Sequence, residues 1–228
     1  MQDLNKLYLR LFKNKTPKQE EKFKLGKCNF ETDYEVNPLE YFQQNNFFQH
    51  AELENLHFLF SNLPIQSFDC QNRIMCKYDA VFEEIYFMVC MYDVYNWGCH
   101  QTAPYFSMHN PDWDYLLGFA HQRLSSGQIH ASLHSFNAKG KKFVDPTLQA
   151  RYQQQVYWVD KGIWGETAFK LNDFYHYIGI KLPTDLVAKI VFGNEDKNVI
   201  GNVWGYLLKN VLISREKTEE FIEKIKNY

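Results

Sequence analysis

The sequence lacks the features that would assign it to a membrane, secreted or nucleic-acid-binding class. Its apolar runs are interrupted by Asp, Glu, Asn or Lys well before the ~20 residues that a membrane-spanning helix needs. The first residues, Met1 to Lys6, are not followed by the apolar segment of a secretory signal. Basic residues are not in excess, since 25 Lys and Arg stand against 27 Asp and Glu. We therefore expect no membrane span, no nucleic acid partner and a cytoplasmic location.

Cysteine is also scarce, and the five cysteines show neither the spacing of a disulfide framework nor that of a zinc site. An odd number of such residues indicates reduced thiols, and a lone thiol is usually a small buried apolar side chain. We assign Cys28, Cys70, Cys76 and Cys90 to that class. Cys70 and Cys76 have no second ligand pair nearby, so we expect no metal and no cofactor.

Aromatic residues, in contrast, are abundant. They make up 17% of the 228 residues, which excludes a disordered chain and allows one sizeable core. The pattern predicts an α+β fold in which a helix led by a cysteine packs on a small antiparallel sheet, with helical additions at both ends. We expect a helical N-terminal lobe at 1–78, a core at 79–160 and a helical C-terminal part of the same unit at 161–228.

Helices account for most of the predicted elements. Apolar residues recur at helical spacing over residues 79–95, and Gly98 then interrupts the pattern. A second helix is predicted over residues 110–124, because the Asn-Pro pair at its start suits an N-cap and a first helical residue. A strand is expected at residues 155–159 and a helix at residues 171–178.

Cys99 opens a further predicted helix, directly after Gly98. At a helix N-terminus, unpaired N–H groups and the helix dipole favour the thiolate form of cysteine. His130 and His134 follow on one face of a predicted strand, and Asp145 closes the next strand. A thiol, an imidazole and a carboxylate are the groups that a cysteine nucleophile needs for its base and its orienter.

The hairpin that carries the histidines and Asp145 is predicted to turn at residues 137–140. This turn places Asp145 opposite Ser132. His130 and His134 are then both diagonal neighbours of Asp145 on its own face. Pairing geometry alone therefore does not choose between them.

Together these residues resemble the core of the transglutaminase-like enzymes, within the wider papain-like cysteine hydrolase superfamily. Gly98-Cys99 at a helix start, a histidine that opens a strand and the segment 144–147 (Val-Asp-Pro-Thr) carry the resemblance, which covers roughly residues 87–159. It implies Cys99 as nucleophile and Asp145 as the carboxylate. His130 is preferred as base because its distance from the turn glycine fits the family better, with His134 as the alternative.

The resemblance implies acyl transfer on a protein or peptide-like amide, as in a peptidase (a thiol protease), a deamidase or a transglutaminase. The Cys99 backbone N–H is one expected oxyanion donor, and Trp97 or Asn96 is the candidate for a second. Lys142 stands where the family commonly has an aromatic residue. Another papain-like peptidase, or a catalytically inactive protein-interaction module with this fold, therefore remains an alternative.

Overall fold

The structure is a computed structural model that describes residues 49–77, 79–91, 98–123, 129–150, 174–193 and 203–228. It confirms the predicted α+β class, with helices packed against one antiparallel sheet. In chain order the elements are α1 (His50–Asn62), β1 (Ile65–Asp69), α2 (Ala80–Met91), α3 (Cys99–His109), β2 (Asp114–Arg123), β3 (Ile129–Lys139), β4 (Lys142–Val144), β5 (Phe174–Leu182), α4 (Thr184–Phe192), α5 (Val203–Asn210) and α6 (Arg215–Lys226). Residues 146–150 are also helical.

The five strands lie in the order β1-β5-β2-β3-β4, and each neighbouring pair is antiparallel. β1 comes from the predicted N-terminal lobe and β5 from the predicted C-terminal part, so one sheet gathers residues from all three predicted segments. The predicted strand at residues 155–159 lies outside the described residues.

The predicted helix over residues 110–124 is wrong, because this segment forms β2. β2 lies between β5 and β3 and is buried on both faces. Leu117 points into one core cluster and Leu116 into the other, so the strand shows no alternation of polar and apolar residues. A Cβ on Gly118 would lie 1.9 Å from the Ile178 carbonyl oxygen, so the close approach of β5 requires glycine there.

The predicted helix over residues 171–178 is also wrong where it is described, because residues 174–182 form β5. This strand too is covered on both faces, with Tyr177 in one cluster and Ile180 in the other. Aromatic and β-branched residues are frequent in such strands, and their short apolar runs are easily mistaken for helix.

Two core clusters hold α3 in place. Ala103 packs in the larger cluster, together with residues of β2, α1 and α5. Phe106 packs in a second cluster, against Phe82 and other apolar residues of α2. The helix that begins at Cys99 is therefore fixed by packing on two sides, and the predicted helix before Gly98 is confirmed over its described part.

The expectation that the cysteines outside the site are reduced is wrong for Cys70, which is disulfide-bonded. Cys76 and Cys99 are free thiols. Disulfides are typical of oxidising compartments, so the predicted cytoplasmic location loses the support that it drew from reduced cysteines. Within the described ranges, no helix is long and apolar enough to cross a bilayer.

Candidate active site

Cys99 is the first residue of α3, as predicted. Gly98 precedes it, and the Gly98 carbonyl oxygen accepts a hydrogen bond from the Thr102 N–H at 3.0 Å. The first N–H groups of a helix have no partner within the helix, so the sulfur lies at the positive end of the helix dipole. Only 8% of Cys99 is exposed. The thiol is therefore an enclosed group whose ionisation depends on its immediate neighbours.

His134 is the imidazole that the structure brings to Asp145. Its Nε2–H donates to Asp145 Oδ2 at 2.6 Å, and both side chains are buried. The ring is stacked on Phe174, with 5.7 Å between ring centroids. His134 also hydrogen-bonds to Cys99. Since Nε2 is bonded to Asp145, the nitrogen that serves the sulfur is Nδ1.

The preference for His130 is therefore corrected. His130 lies on the same strand, but it pairs with Gln122 of β2 and its ring is 3.3 Å from the hydroxyl of Ser132. Its side chain is only partly buried. The structure does not bring it to Asp145.

The reason for this correction is the register of the hairpin. β3 continues to Lys139, which pairs with Lys142, and the chain turns at Gly140 with a φ of 61°. Asn137 pairs with Val144, so Asp145 follows at the level of Phe136 instead of Ser132. The shift of four positions makes His134 the diagonal neighbour of Asp145. His130 lies too far along the strand.

Asp145 is held by three donors. In addition to His134, the Tyr177 hydroxyl donates to Oδ2 at 3.0 Å, and the Leu148 N–H donates to Oδ1 at 2.9 Å. Tyr177 in turn hydrogen-bonds to the buried Arg73. Burial raises the pKa of the Asp145 carboxyl, but these donors outweigh it and lower the pKa below its ordinary value.

The carboxylate and the thiol change the ionisation of His134. Burial lowers the pKa of His134, but Asp145 and Cys99 outweigh burial and raise that pKa to about 10. For Cys99, burial raises the pKa, while the imidazoles of His100 and His134 favour the thiolate and hold it well below its ordinary value. At neutral pH the site therefore contains a thiolate beside a protonated His134.

His100, which follows Cys99 directly, is a site residue that the sequence reasoning missed. It is fully buried, and its imidazole helps to lower the pKa of the adjacent Cys99 thiol. Its Nδ1 lies 2.6 Å from the Ser135 hydroxyl oxygen, which lies 2.7 Å from the Tyr115 hydroxyl oxygen. One signal in the sequence could have pointed to His100. It directly follows Cys99 on the helix, and its partner Ser135 directly follows His134 on the strand.

A second link joins the nucleophile helix to the carboxylate end of the site. Thr102 of α3 hydrogen-bonds through its hydroxyl to Thr147, two residues after Asp145. Asn137 of β3 donates to the Ala103 carbonyl oxygen at 3.0 Å. These contacts fix α3 on the hairpin, so the sulfur and the carboxylate are held in one frame.

The oxyanion donors are only partly described. Trp97 and Asn96, the candidates for a second donor, lie outside the described residues. The Cys99 backbone N–H stands at the first position of α3, where the helix itself provides no acceptor. It therefore remains the first candidate.

Metal ligation and similarity to known proteins provide no alternative assignment. Among the described residues, no group of three or more His, Cys, Asp or Glu side chains is arranged to hold a metal ion. No family model, curated protein or solved structure matches the chain. The resemblance to transglutaminase-like enzymes stays a prediction.

Proposed function

We propose that this protein is a cysteine-dependent acyl-transfer enzyme that acts on amide bonds through Cys99, His134 and Asp145. The observation that carries the proposal is the buried chain from the Cys99 sulfur through the His134 imidazole to the Asp145 carboxylate. A buried imidazole between a helix-terminal thiol and a carboxylate suits nucleophilic catalysis. The resemblance to the transglutaminase-like enzymes supports Cys99 as the nucleophile and Asp145 as the carboxylate, whereas it favoured His130 as the base.

In the first half of the reaction, the Cys99 thiolate attacks the carbonyl carbon of an amide, and the carbonyl electron pair moves to oxygen. The Cys99 N–H donates to that oxyanion. As the tetrahedral intermediate collapses, the C–N bond breaks and His134 gives its proton to the leaving amine. The products are a thioester on Cys99 and the released amine, with His134 now neutral.

In the second half, His134 takes a proton from the acceptor, which attacks the thioester carbon. The sulfur leaves as thiolate and the imidazole is protonated again. Water as acceptor gives hydrolysis, as in a peptidase or deamidase, and an amine gives cross-linking. Asp145 holds the His134 ring and stabilises its charged form throughout.

The test compares wild type with two variants in three amide reactions. Each variant has one cysteine replaced by alanine. Purified protein is assayed for cleavage of unfolded casein, ammonia release from glutamine peptides and incorporation of a fluorescent amine. Wild type and Cys76→Ala are expected to share at least one activity that Cys99→Ala lacks. An activated ester should also leave an acyl adduct on Cys99, detected by intact-mass spectrometry.

The proposal fails if wild type and Cys99→Ala behave alike in all three assays and no adduct forms on Cys99. The interaction-module alternative is then the better one.

A further inference from the structure

Tyr177 of β5 contacts the carboxylate of the site, but the three-residue mechanism gives it no role. Its hydroxyl donates to Asp145 Oδ2 at 3.0 Å, and the same oxygen accepts from His134 Nε2 at 2.6 Å. The Leu148 N–H donates to the other oxygen, Oδ1, at 2.9 Å. The phenol and the catalytic imidazole therefore share one oxygen of the carboxylate.

The position of this hydroxyl is fixed by the sheet and by aromatic packing. Tyr177 is fully buried on a strand that is paired on both sides, with Phe68 of β1 and Ala120 of β2 as its partners. Its ring packs against the rings of Phe143 and Phe136, with 4.5 and 5.2 Å between ring centroids. A group on an interior strand is held more rigidly than one on a loop, so the hydroxyl meets Oδ2 in a constant geometry.

The Tyr177 hydroxyl acts as a donor because it keeps its proton and because a carboxylate only accepts. Burial and the Asp145 carboxylate raise the pKa of Tyr177 well above its ordinary value, although the charge of the buried Arg73 acts in the opposite direction. The other ionisable group in contact with the carboxylate is His134 of β3, with Cys99 of α3 next to it.

A second donor on Oδ2 affects where the proton between His134 and Asp145 resides. Burial disfavours both charged forms, so a buried imidazolium and carboxylate can neutralise each other when the proton crosses their hydrogen bond. That transfer would remove the positive charge beside the Cys99 thiolate. A hydrogen bond to the ionised carboxylate favours its charged form and lowers the affinity of Oδ2 for a proton. The Tyr177 hydroxyl therefore opposes transfer of the Nε2 proton to Asp145.

We propose that Tyr177 is a positioning residue whose hydroxyl, by sharing Oδ2 of Asp145, keeps the Nε2 proton on His134. The inference rests on the proposed function, because it concerns the acid and base of that site. Tyr177 acts through Asp145, and its own proton is not transferred. With Nε2 protonated throughout, His134 uses Nδ1 alone to exchange protons with Cys99, the leaving amine and the acceptor.

The first test is Tyr177→Phe, which removes the hydroxyl and keeps the ring. The control is Tyr86→Phe, at a buried tyrosine of α2. Turnover of Tyr177→Phe should fall about tenfold, the size expected for one hydrogen bond to a charged group, and the control should keep the wild-type rate. Loss of this donor should also raise the pKa of Asp145, so activity should be lost at a higher pH on the acidic side of the pH–rate profile. Circular dichroism confirms that each variant is folded.

The second test observes His134 directly and needs no turnover. In protein with ¹⁵N-labelled histidine, His134 Nε2 should be protonated at neutral pH. Tyr177→Phe should move its ¹⁵N shift towards that of an unprotonated nitrogen, because the proton is then shared more with Oδ2. A purely structural role for Tyr177 predicts a lower melting temperature with an unchanged ¹⁵N shift and an unchanged acidic limb, and that result in the folded variant would overturn the inference.

The unmodified protein provides a third measurement, which does not depend on the folding of a variant. The His134 Nε2 proton and the Tyr177 hydroxyl proton are bonded to one oxygen, so they should show a nuclear Overhauser effect to each other. A Tyr177 hydroxyl proton that shows no such effect overturns the inference.

The two spectroscopic measurements are independent of the amide assays. If the His134 shift responds to Tyr177→Phe but no amide reaction occurs, the proposed function is wrong and the role of Tyr177 in placing the proton stands. If Cys99-dependent turnover occurs but Tyr177→Phe moves neither the shift nor the acidic limb, the role of Tyr177 is wrong and the proposed function stands.

Discussion

The two free thiols in the described part of the chain, Cys76 and Cys99, show that exposure does not decide which cysteine is reactive. Cys76 is the more exposed, yet burial and the nearby charge of Asp79 raise its pKa to about 11. Cys99 is more deeply buried, yet its pKa lies well below its ordinary value because two imidazoles favour the thiolate. The partners of a thiol determine its charge, and of these two described thiols Cys99 is the one whose partners suit a nucleophile.

Two buried histidines on the same sheet repeat this contrast. His121 of β2 is fully buried, and in the described part of the chain its ring nitrogens have no hydrogen-bond partner. Burial and the neighbouring His176 lower its pKa to about 4, so the ring is neutral at pH 7. His134 is also buried, but Asp145 and Cys99 raise its pKa to about 10. The carboxylate and the thiolate therefore create the charged imidazole, and burial opposes it.

The largest expected effect comes from replacing Cys99 and Cys76 with alanine, one at a time. Cys99→Ala should abolish amide turnover and most iodoacetamide labelling at neutral pH, because it removes the thiolate. Cys76→Ala should change neither, since a thiol with a pKa of about 11 is protonated under those conditions. The measurements are turnover, labelling mapped by peptide mass spectrometry, and the melting temperature. An unfolded Cys99→Ala variant, or one with full activity, would contradict the nucleophile assignment.

Asp145→Asn should have the next largest effect on turnover. The amide accepts a hydrogen bond but does not stabilise a charged imidazole, and it permits the wrong His134 tautomer. Loss of the equivalent carboxylate in serine proteases costs ~10⁴-fold in rate, and we expect a loss approaching that size. Turnover of the variant is compared with that of Asp112→Asn, which alters an exposed ion pair with Lys139. Equal rates for Asp145→Asn and wild type would make Asp145 a structural residue.

The sequence was sufficient where one local signal decides a structure. A helix begins at Cys99, directly after Gly98, as predicted. The Cys99 and Asp145 assignments likewise rested on local position. Each depended on residues within a few positions of the feature that it predicted.

The sequence was insufficient where a contact between residues distant in the chain determines the structure. β2 and β5 were predicted as helices because burial on both faces removes their alternation. The alternation of side chains along the strand placed His130 and His134 on the correct face. A register shift of four positions leaves each side chain on the same face. The pattern therefore could not show which histidine meets Asp145. His100 was missed because its place in the site is set by a contact with Ser135, which is distant in sequence.

The two histidines of β3 provide the next test, on thiol ionisation. His134→Ala should raise the pH midpoint of Cys99 alkylation towards ~8.5, because the thiolate loses its charged partner. His130→Ala should leave the midpoint unchanged, so it is the matched control on the same strand face. In wild type, turnover should fall as pH rises through about 10, where His134 loses the proton that the leaving amine needs. The opposite behaviour of the two variants would make His130 the base.

The smallest effect is expected at Cys76, where Asp79→Asn removes only the second cause of its raised pKa. The Asp79 side chain accepts hydrogen bonds from the Val81 and Phe82 N–H groups at the start of α2, and asparagine can replace that cap. The helix should therefore persist. The Cys76 pKa should fall from about 11 but stay above its ordinary value, because the larger cause, burial, remains.

The measurement is the pH midpoint of alkylation at both thiols in one sample. The Cys99 midpoint should not move, since its pKa is governed by His100 and His134. If it moved with Asp79→Asn, or if Cys76 did not respond, the two thiols would not be controlled by their own neighbours and the contrast between them would fail.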